Sequence, residues 1–186
     1  RDAASKRAPL AASAATTARV WGGTITTGGA VVATAASVQT ADVDIDAVAI
    51  ALAGFVMTLP TARISAATIA TLESPTTSVG ATLGTTSRNH ASVDANFVAI
   101  TGLGASDAGA IASVDGAATT EAFVKLAGQR FDAGAGDVVM TVGADNLVHA
   151  FAHQSGGGLL NVNFLSVSAS LGALTHGAIQ AGVAVS

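Results

Sequence analysis

Three aspartates at alternating positions are the residues of this chain best placed to do chemistry. Asp42, Asp44 and Asp46 stand in the run DVDID, and alternate residues of a strand project from one face. Their carboxylates could offer oxygens to a hard cation such as calcium, with Val43 and Ile45 facing inward. The run lacks both the glycine-rich nonapeptide and the EF-hand pattern of calcium loops. We therefore predict a solvated acidic face here and no metal site.

The histidines offer a second, weaker candidate for metal binding. His149 and His153 are four residues apart, while His90 and His176 are solitary. On a helix, the spaced pair could bind zinc. Their surroundings alternate between apolar and polar residues, which predicts a strand, and four residues of a strand span about 13 Å. That separation is too large for shared ligation, so we predict no zinc site.

No motif of a catalytic or phosphate-binding site is present. The chain has no G-x-S-x-G nucleophile elbow. Gly102-Leu103-Gly104 supplies only half of a dinucleotide-binding loop, and residues 156–158 (GGG) are not followed by Lys-Ser/Thr. Both glycine runs predict turns. Threonines that could present ordered hydroxyls, as ice-binding faces do, lack a regular spacing: Thr24, Thr26, Thr82, Thr85 and Thr86. We predict a protein that is not an enzyme, with no catalytic, cofactor-binding or metal-binding residue.

The composition favours thin layers of small side chains. Of the 186 residues, half are apolar, 11% are charged and 21 are glycine, while tyrosine and cysteine are absent. A mean hydropathy of +0.57 and a net charge of -4 are the opposite of the disordered signature. The longest apolar run, Ala47–Leu59, is too short for the ~20 residues of a membrane-spanning helix. One folded domain is therefore expected, without membrane insertion.

The first nineteen residues differ from the rest. Arg1, Lys6, Arg7 and Arg19 are half of all the basic residues, and Pro9 interrupts any early helix. We predict a flexible N-terminal arm over residues 1–19 and a repetitive β domain over residues 20–186. Four charges are too few for a nucleic-acid footprint. Because the chain begins with arginine rather than methionine, we expect it to be processed or to be a piece of a longer protein.

Short alternating patterns predict strands after the arm. In residues 137–152, Val138, Met140 and Val142 share one face. Asp145-Asn146 offers a turn or bulge, after which the apolar alternation resumes at Leu147 and continues through His149 and Phe151. In Asn163–Ala169, leucine, valine and alanine alternate with serines. Helix signals are weak, so an all-β fold is predicted.

Three segments of the chain are similar to one another. They span residues 31–72, 82–124 and 137–185, and each contains a polar alternating stretch, an apolar strand, a small-residue stretch and a closing Ala/Thr-rich strand. Repetition of a similar segment along a chain is typical of solenoids. We predict a parallel β-solenoid (β-helix) in which each unit comprises two or three coils. The alternative architecture is a β-sandwich subunit whose arm donates a strand to a neighbour.

These repeats carry a resemblance to a known family. The stretch GDVVMTVGADNLVHAFAHQSGGGLLNVN, followed by LGALTHGAIQAGVAV, and the closing phrase VDGAATTEAFV resemble the Ala/Gly/Val-rich repeats of large bacterial filamentous adhesins of the haemagglutinin and leukotoxin type. The resemblance covers most of Val31–Val185. It implies an exported right-handed β-helix that serves as a stalk or filament, and it transfers no catalytic residue.

The sequence thus predicts a structural subunit or fragment of an extracellular bacterial filament or adhesin at the cell surface. Its partners would be other copies of itself or the flanking chain of a longer parent, with a host or neighbouring cell surface as the target. The final strand, Ala178–Val185, carries no charge or proline that would protect a sheet edge, so we expect another copy or flanking chain to cover it. The alternative function is a carbohydrate-binding or carbohydrate-cleaving β-helix. Such a protein would need a groove with paired carboxylates or exposed aromatic residues, and Trp21 is the one tryptophan that could serve.

Overall fold

Parallel β-strands make up the fold in a computed structural model of the chain. The structure describes the backbone of residues 5–6, 9–12, 14–125, 130–180 and 184–185, and the side chains of residues 14–125 and 130–180. Within these ranges there is no helix, and every pair of neighbouring strands is parallel. The predicted fold class is confirmed: the chain is all-β with parallel sheets, consistent with a parallel β-solenoid.

The strands form three sheets that the chain visits in the same order. The large sheet contains two strands of 28 and 34 residues, far longer than the usual five or six. The strands are β1 (Ser5–Lys6), β2 (Pro9–Ala12), β3 (Thr16–Val20), β4 (Ile25–Thr26), β5 (Val31–Thr58), β6 (Thr61–Ile64), β7 (Thr68–Leu72), β8 (Thr76–Thr77), β9 (Ala81–Val114), β10 (Thr119–Val124), β11 (Arg130–Asp132), β12 (Val138–Gly157), β13 (Leu160–Leu171), β14 (Leu174–Ile179) and β15 (Ala184–Val185).

Successive coils lie in register on one another. In the large sheet (β1, β2, β5, β6, β9, β12 and β13), Val31 pairs with Ala81, and Ala81 with Val138. The second sheet stacks β3, β7, β10 and β14, and the third stacks β4, β8, β11 and β15. Each similar segment of the sequence therefore supplies one coil. The expectation of two or three coils per unit is wrong, because one long strand and the shorter strands that follow it take up the whole segment.

Parallel pairing also decides against the β-sandwich alternative, whose sheets are antiparallel. The prediction of a flexible N-terminal arm is corrected too. Thr16–Val20 pairs with β7, and the backbones of β1 and β2 pair with β5 and β6. Val20 packs against a buried cluster that contains residues of two successive coils, among them Leu72 and Leu83. The described part of residues 1–19 therefore lies on the stack instead of forming a detached arm, because its alternating residues satisfy backbone groups that would otherwise face water.

Alanine fills the narrow space between facing strands. Ala41 and Ala91, neighbours in the large sheet, are fully buried in one cluster with Ala62 and Ala112 of the returning chain. Since strands of successive coils are about 4.8 Å apart, each inward position is repeated in the next coil. Small side chains at these positions let the two facing strands of a coil approach each other closely.

Hydroxyl pairs cross the same interior. The Ser37 and Thr68 hydroxyl oxygens are 2.5 Å apart, and those of Ser87 and Thr120 are 2.6 Å apart. Both pairs link the large sheet to the second sheet, one in each of two successive coils. Hydrogen bonding between the two partners lets polar groups occupy a buried layer without the cost of an unmade hydrogen bond.

The chain reverses direction within β9. Phe97 and Ala108 pack in one buried cluster, although the extended chain between them would span about 35 Å. Most buried residues of the strand are odd-numbered up to Thr101 and even-numbered from Ser106 onward. The alternation therefore shifts by one residue between these two positions. Gly102 and Gly104 lie between them, so the predicted turn at these glycines corresponds to the corner that folds the large sheet back on itself.

Glycine is required at this corner by the coil beneath it. A Cβ on Gly102 would lie 2.4 Å from the Leu52 carbonyl oxygen, and one on Gly104 would lie 2.1 Å from the Gly54 carbonyl oxygen. Gly54 itself has a φ of 132°, which only glycine adopts readily. The two corners therefore stack backbone on backbone, with no room for a side chain.

The strand β12 differs from its predicted pattern. It continues without a bulge through Asp145 and Asn146, which pair with Arg88 and Asn89. The Asn146 side-chain oxygen accepts a 2.7 Å hydrogen bond from the Asn89 amide. Because no residue is skipped, Leu147, His149 and Phe151 face outward and are exposed. The prediction that the apolar alternation resumes on the buried face was wrong.

We expect Ala91→Leu to destabilise the fold. The larger leucine side chain has no space between the facing strands of the coil, and overpacking of this kind costs about 1–3 kcal/mol. The measurement is the free energy of unfolding in urea. Ala36→Leu is the matched control, because Ala36 faces outward on β5, and its effect should stay within about 0.5 kcal/mol. Equal losses in the two variants would contradict the thin interior.

We expect Gly104→Ala to be harmful for a different reason. Its Cβ would collide with the Gly54 carbonyl oxygen, so the corner must shift, at a cost of about 1–3 kcal/mol or more. Gly157→Ala is the control, since a Cβ there meets nothing within 4 Å, and it should be neutral or slightly stabilising. Thermal melting of both variants separates these outcomes, and an unchanged melting temperature for Gly104→Ala would contradict the stacked corner.

Candidate functional site

The three aspartates lie on the outer face of the large sheet. Asp42, Asp44 and Asp46 are exposed on β5, while Val43 and Ile45 point inward, as the alternation predicts. Their neighbours in the next coil form a row along the same face: Ser92, Asp94 and Asn96. No group of three metal-ligating side chains of the His, Cys, Asp and Glu types comes together within the described residues. We call Asp42, Asp44 and Asp46 the acidic row.

The histidines are separated on the same sheet. His149 and His153 both face outward on the strand β12, in the columns of Asp42 and Asp46 two coils away. The His149 Nε2 atom lies 3.5 Å from the Asp94 Oδ1 atom. His176 lies elsewhere, with its ring edge-on to Phe123 at a centroid distance of 5.3 Å. The strand geometry thus keeps the pair apart, as predicted.

The remaining residues considered for chemistry do not converge either. Thr85 is buried, whereas Thr86 is exposed on the opposite face, so these hydroxyls form no common ladder. Trp21 is largely exposed, and the Arg19 guanidinium lies 5.4 Å from its ring centroid. The single tryptophan stands at the start of the stack, just after the strand β3.

A shallow depression of about 590 Å³ lies on the outer face of the large sheet. Small residues in one column, Ala36, Thr86 and Gly143, form its floor. Its charged members are Arg88 and Asp145, whose Nε and Oδ2 atoms are 3.2 Å apart. The charges neutralise each other, and the lining offers no nucleophile with an adjacent base. The depression is a consequence of small side chains in register.

Ion pairs join adjacent coils on the surface, and the alternating pattern of the sequence does not predict them. Arg19 Nε donates a 2.9 Å hydrogen bond to Glu73 Oε2, and Arg63 Nε donates one of 2.7 Å to Asp115 Oδ2. The Arg19 hydrogen bond holds the pKa of Glu73 below its usual range. For Asp115, partial desolvation raises the pKa, but the Arg63 bond and backbone N–H groups outweigh it, so the net shift is downward.

One end of the stack leaves its interior open. Leu165 and Val167 of β13 continue the inward columns of Ala108 and Ala110. The alanines are 1% and 0% exposed, whereas Leu165 and Val167 are 55% and 47% exposed. The strand β13 pairs with β9 on one side and, within the described chain, with no strand on the other. Apolar interior side chains and unpaired backbone groups therefore face outward at this end.

The opposite end is open along part of β5. There, β1 pairs with Met57 and Thr58 only, and β2, β3 and β4 lie on β6, β7 and β8. All of residues 31–52 except Leu52 pair with β9 on one side, and none of them pairs with a described residue on the other. This stretch, which we call the β5 edge, includes the three aspartates. The two open ends are the features of the described chain best suited to binding.

Comparisons with known proteins leave the function to be argued from the molecule. No protein-family model, curated protein or solved structure matches this chain. Among the residues whose structure is described, no helix has the length and apolar character needed to cross a membrane.

The Arg19–Glu73 pair predicts a pH dependence of stability. A carboxylate whose folded-state pKa is lowered stabilises the fold above its unfolded value of about 4.3, and this contribution is lost as the pH falls through the folded-state pKa. Glu73→Gln should therefore lower the free energy of unfolding at pH 7, by less than about 1 kcal/mol because Arg19 is half exposed.

The same measurement should show the difference between Glu73→Gln and the wild type vanish in acid. Urea unfolding from pH 7 to pH 2.5 tests this. Asp145→Asn is the control for loss of a carboxylate from a more exposed ion pair, and we expect it to have a smaller effect at every pH. A difference for Glu73→Gln that grows toward acid would contradict the assignment.

Proposed function

We propose that this chain is a structural subunit or segment of an extracellular bacterial filament or adhesin, extended by the stacking of further coils. One observation carries the proposal: the interior columns that are buried at Ala108 and Ala110 continue into the exposed Leu165 and Val167 of the last coil. Proteins built of repeats need a polar cap to end such a stack in water. This end has apolar side chains instead.

The backbone supports extension at the same place. The strands β13, β14 and β15 each pair with one described strand only, as do β2, β3 and β4 at the other end. Both sets run in the same direction along the same three sheets. Stacking β13–β15 of one copy on β2–β4 of the next would continue parallel pairing, and such a head-to-tail contact generates an open fibre. Flanking chain of a longer parent could cover the same edges.

The inter-coil contacts fit a stalk. Small residues, hydroxyl pairs and corner glycines recur from coil to coil, and the outward face presents scattered charges instead of a cleft. The glycan-binding alternative would need aromatic platforms or paired carboxylates in a groove. Trp21 is an exposed aromatic in its favour, but the Arg19 guanidinium lies over its ring. The exposed phenylalanines Phe55, Phe151 and Phe164 lie on three different strands. The structural proposal therefore accounts for more of the molecule.

Val167→Glu should block extension. It places a charge in the open interior of the last coil, where a further coil would have to bury it. Ser168→Glu is the matched control, because Ser168 faces outward in the column of Ile111. We expect fibres of uniform width from the wild type and from Ser168→Glu, and dispersed particles from Val167→Glu, by negative-stain electron microscopy and sedimentation.

An intact chain that stays monomeric at high concentration would contradict extension by its own copies. Fibres formed equally by all three proteins would contradict the assignment of the contact to β13. Monomers that are retained on immobilised glycans would favour the carbohydrate-binding alternative instead.

A further inference from the structure

We infer that the corner at which the large sheet folds back on itself binds the surface of a lipid bilayer and inserts its apolar side chains there. Three segments in register form this corner, one from each coil: residues 47–56, 97–106 and 155–163. None of them contains Asp, Glu, Lys, Arg or His. We call the three segments the apolar corner. The inference concerns the outward face of the stack, so it does not depend on extension of the stack at its ends.

The middle coil shows that the fold itself exposes this apolar surface. Val98, Ile100 and Leu103 belong to β9, which has a strand on both sides, and they are still 36%, 47% and 54% exposed. Further coils would be added along the axis of the stack, above and below the existing ones. They would not lie over the outward face of β9. Extension of the stack in either direction therefore leaves these side chains uncovered.

Exposed apolar side chains continue across the apolar corner from coil to coil. Three register pairs contain an exposed aliphatic side chain in both coils: Val48 with Val98, Ile50 with Ile100, and Leu103 with Leu160. At the turn itself, Leu52 is 93% exposed and Leu159 is 91% exposed. A continuous apolar surface of several exposed side chains marks a site of interaction with a protein or a membrane.

A polar row borders the apolar corner at the same level in each coil. Asp46, Asn96 and His153 are exposed and occupy one column. The apolar side chains begin in the next outward column, and from Val48 to Leu52 the strand would extend about 13 Å. One leaflet supplies about 15 Å of hydrocarbon. The apolar corner would thus enter a single leaflet with the polar row at the level of the headgroups, and this requires no membrane-spanning segment.

The backbone of the apolar corner is suited to a hydrocarbon environment. In the middle coil, Ile100 pairs with Ile50 on one side and with Gly157 on the other, and Leu103 is likewise paired on both sides. Unpaired backbone groups are costly in hydrocarbon because no water is present to bond them. Pairing between coils removes this cost, so insertion would bury side chains without stranding peptide groups.

Shape and composition favour a bilayer over a protein as the partner. The apolar corner is a convex edge, and Gly102 and Gly104 leave Leu103 as the projecting side chain. A fluid bilayer adapts to such an edge, whereas a protein would need a matching groove. The three segments also lack Trp, Tyr and Arg, the residues that dominate binding at protein interfaces. Since Asp46 and Asp107 border the corner, a zwitterionic surface suits it better than an anionic one.

The experiment uses the intact chain and vesicles of phosphatidylcholine in a flotation assay. The variant I100T/L103T removes two exposed aliphatic side chains from the middle coil. V32T/V139T is the matched control, because Val32 and Val139 are exposed on the outer face away from the corner. Threonine keeps a strong preference for strands, and circular dichroism with thermal melting checks that both variants retain the fold.

We expect the wild type and V32T/V139T to float with the vesicles, and I100T/L103T to bind at least about tenfold more weakly. Withdrawal of an aliphatic side chain from water favours binding by about tenfold or more. High salt should leave binding unchanged, because the apolar corner carries no charge to be screened.

A second readout locates the inserted residues. The chain contains no cysteine, so a single introduced cysteine carries one fluorescent label. The label on Leu103→Cys should shift its emission to the blue when vesicles are added, and lipids with a quencher in the acyl chain should quench it. The same label on Thr86→Cys, which is exposed on the same strand away from the corner, should show neither effect.

Four results would overturn the inference. Equal binding of I100T/L103T and its control would remove the corner from the contact, and absence of vesicle binding by a fibre-forming wild type would leave only the filament proposal. Binding that requires anionic lipid and is lost in high salt would assign the contact to charge. Self-association that I100T/L103T abolishes and vesicles do not reduce would assign the corner to a second copy. A monomeric chain that binds vesicles through Leu103 would uphold the inference while removing the filament proposal.

Discussion

Parallel, in-register stacking of coils is the constraint on which this structure depends. Each strand is held to the next at about 4.8 Å by backbone hydrogen bonds, so an inward side chain has a neighbour of the same orientation directly above and below it. Columns such as Ala41–Ala91 and corners such as Gly54–Gly104 follow from this spacing. A large residue in one coil would disturb its neighbours as well. The abundance of alanine and glycine is thus a requirement of the architecture.

Polar groups occur both in the interior and on the surface of the stack. Pairs of facing hydroxyls, such as Ser87 and Thr120, occupy part of the buried layer. Charges stay on the outer face, where pairs such as Arg63–Asp115 join adjacent coils. Exposed ion pairs of this kind contribute little to stability. Backbone pairing and apolar burial hold the coils together.

The ends and edges of the stack differ from its middle coils, because their strands have a described neighbour on one side only and their inward side chains are more exposed. The last coil exposes Leu165 and Val167, whereas the β5 edge exposes unpaired backbone beside an acidic row. The two openings differ in chemistry, one apolar and one acidic.

The sequence by itself determined the all-β class, the small-residue interior and the outward face of Asp42, Asp44 and Asp46, because strand alternation is a local property. It also placed a turn at Gly102-Leu103-Gly104. Only the tertiary structure decided that one unit makes one coil, that β12 runs through Asp145 without a bulge, and that Arg19 meets Glu73. These depend on which residues meet across a coil of fifty or more residues. A register shift of one residue turns a strand face over, and alternation alone does not specify the register.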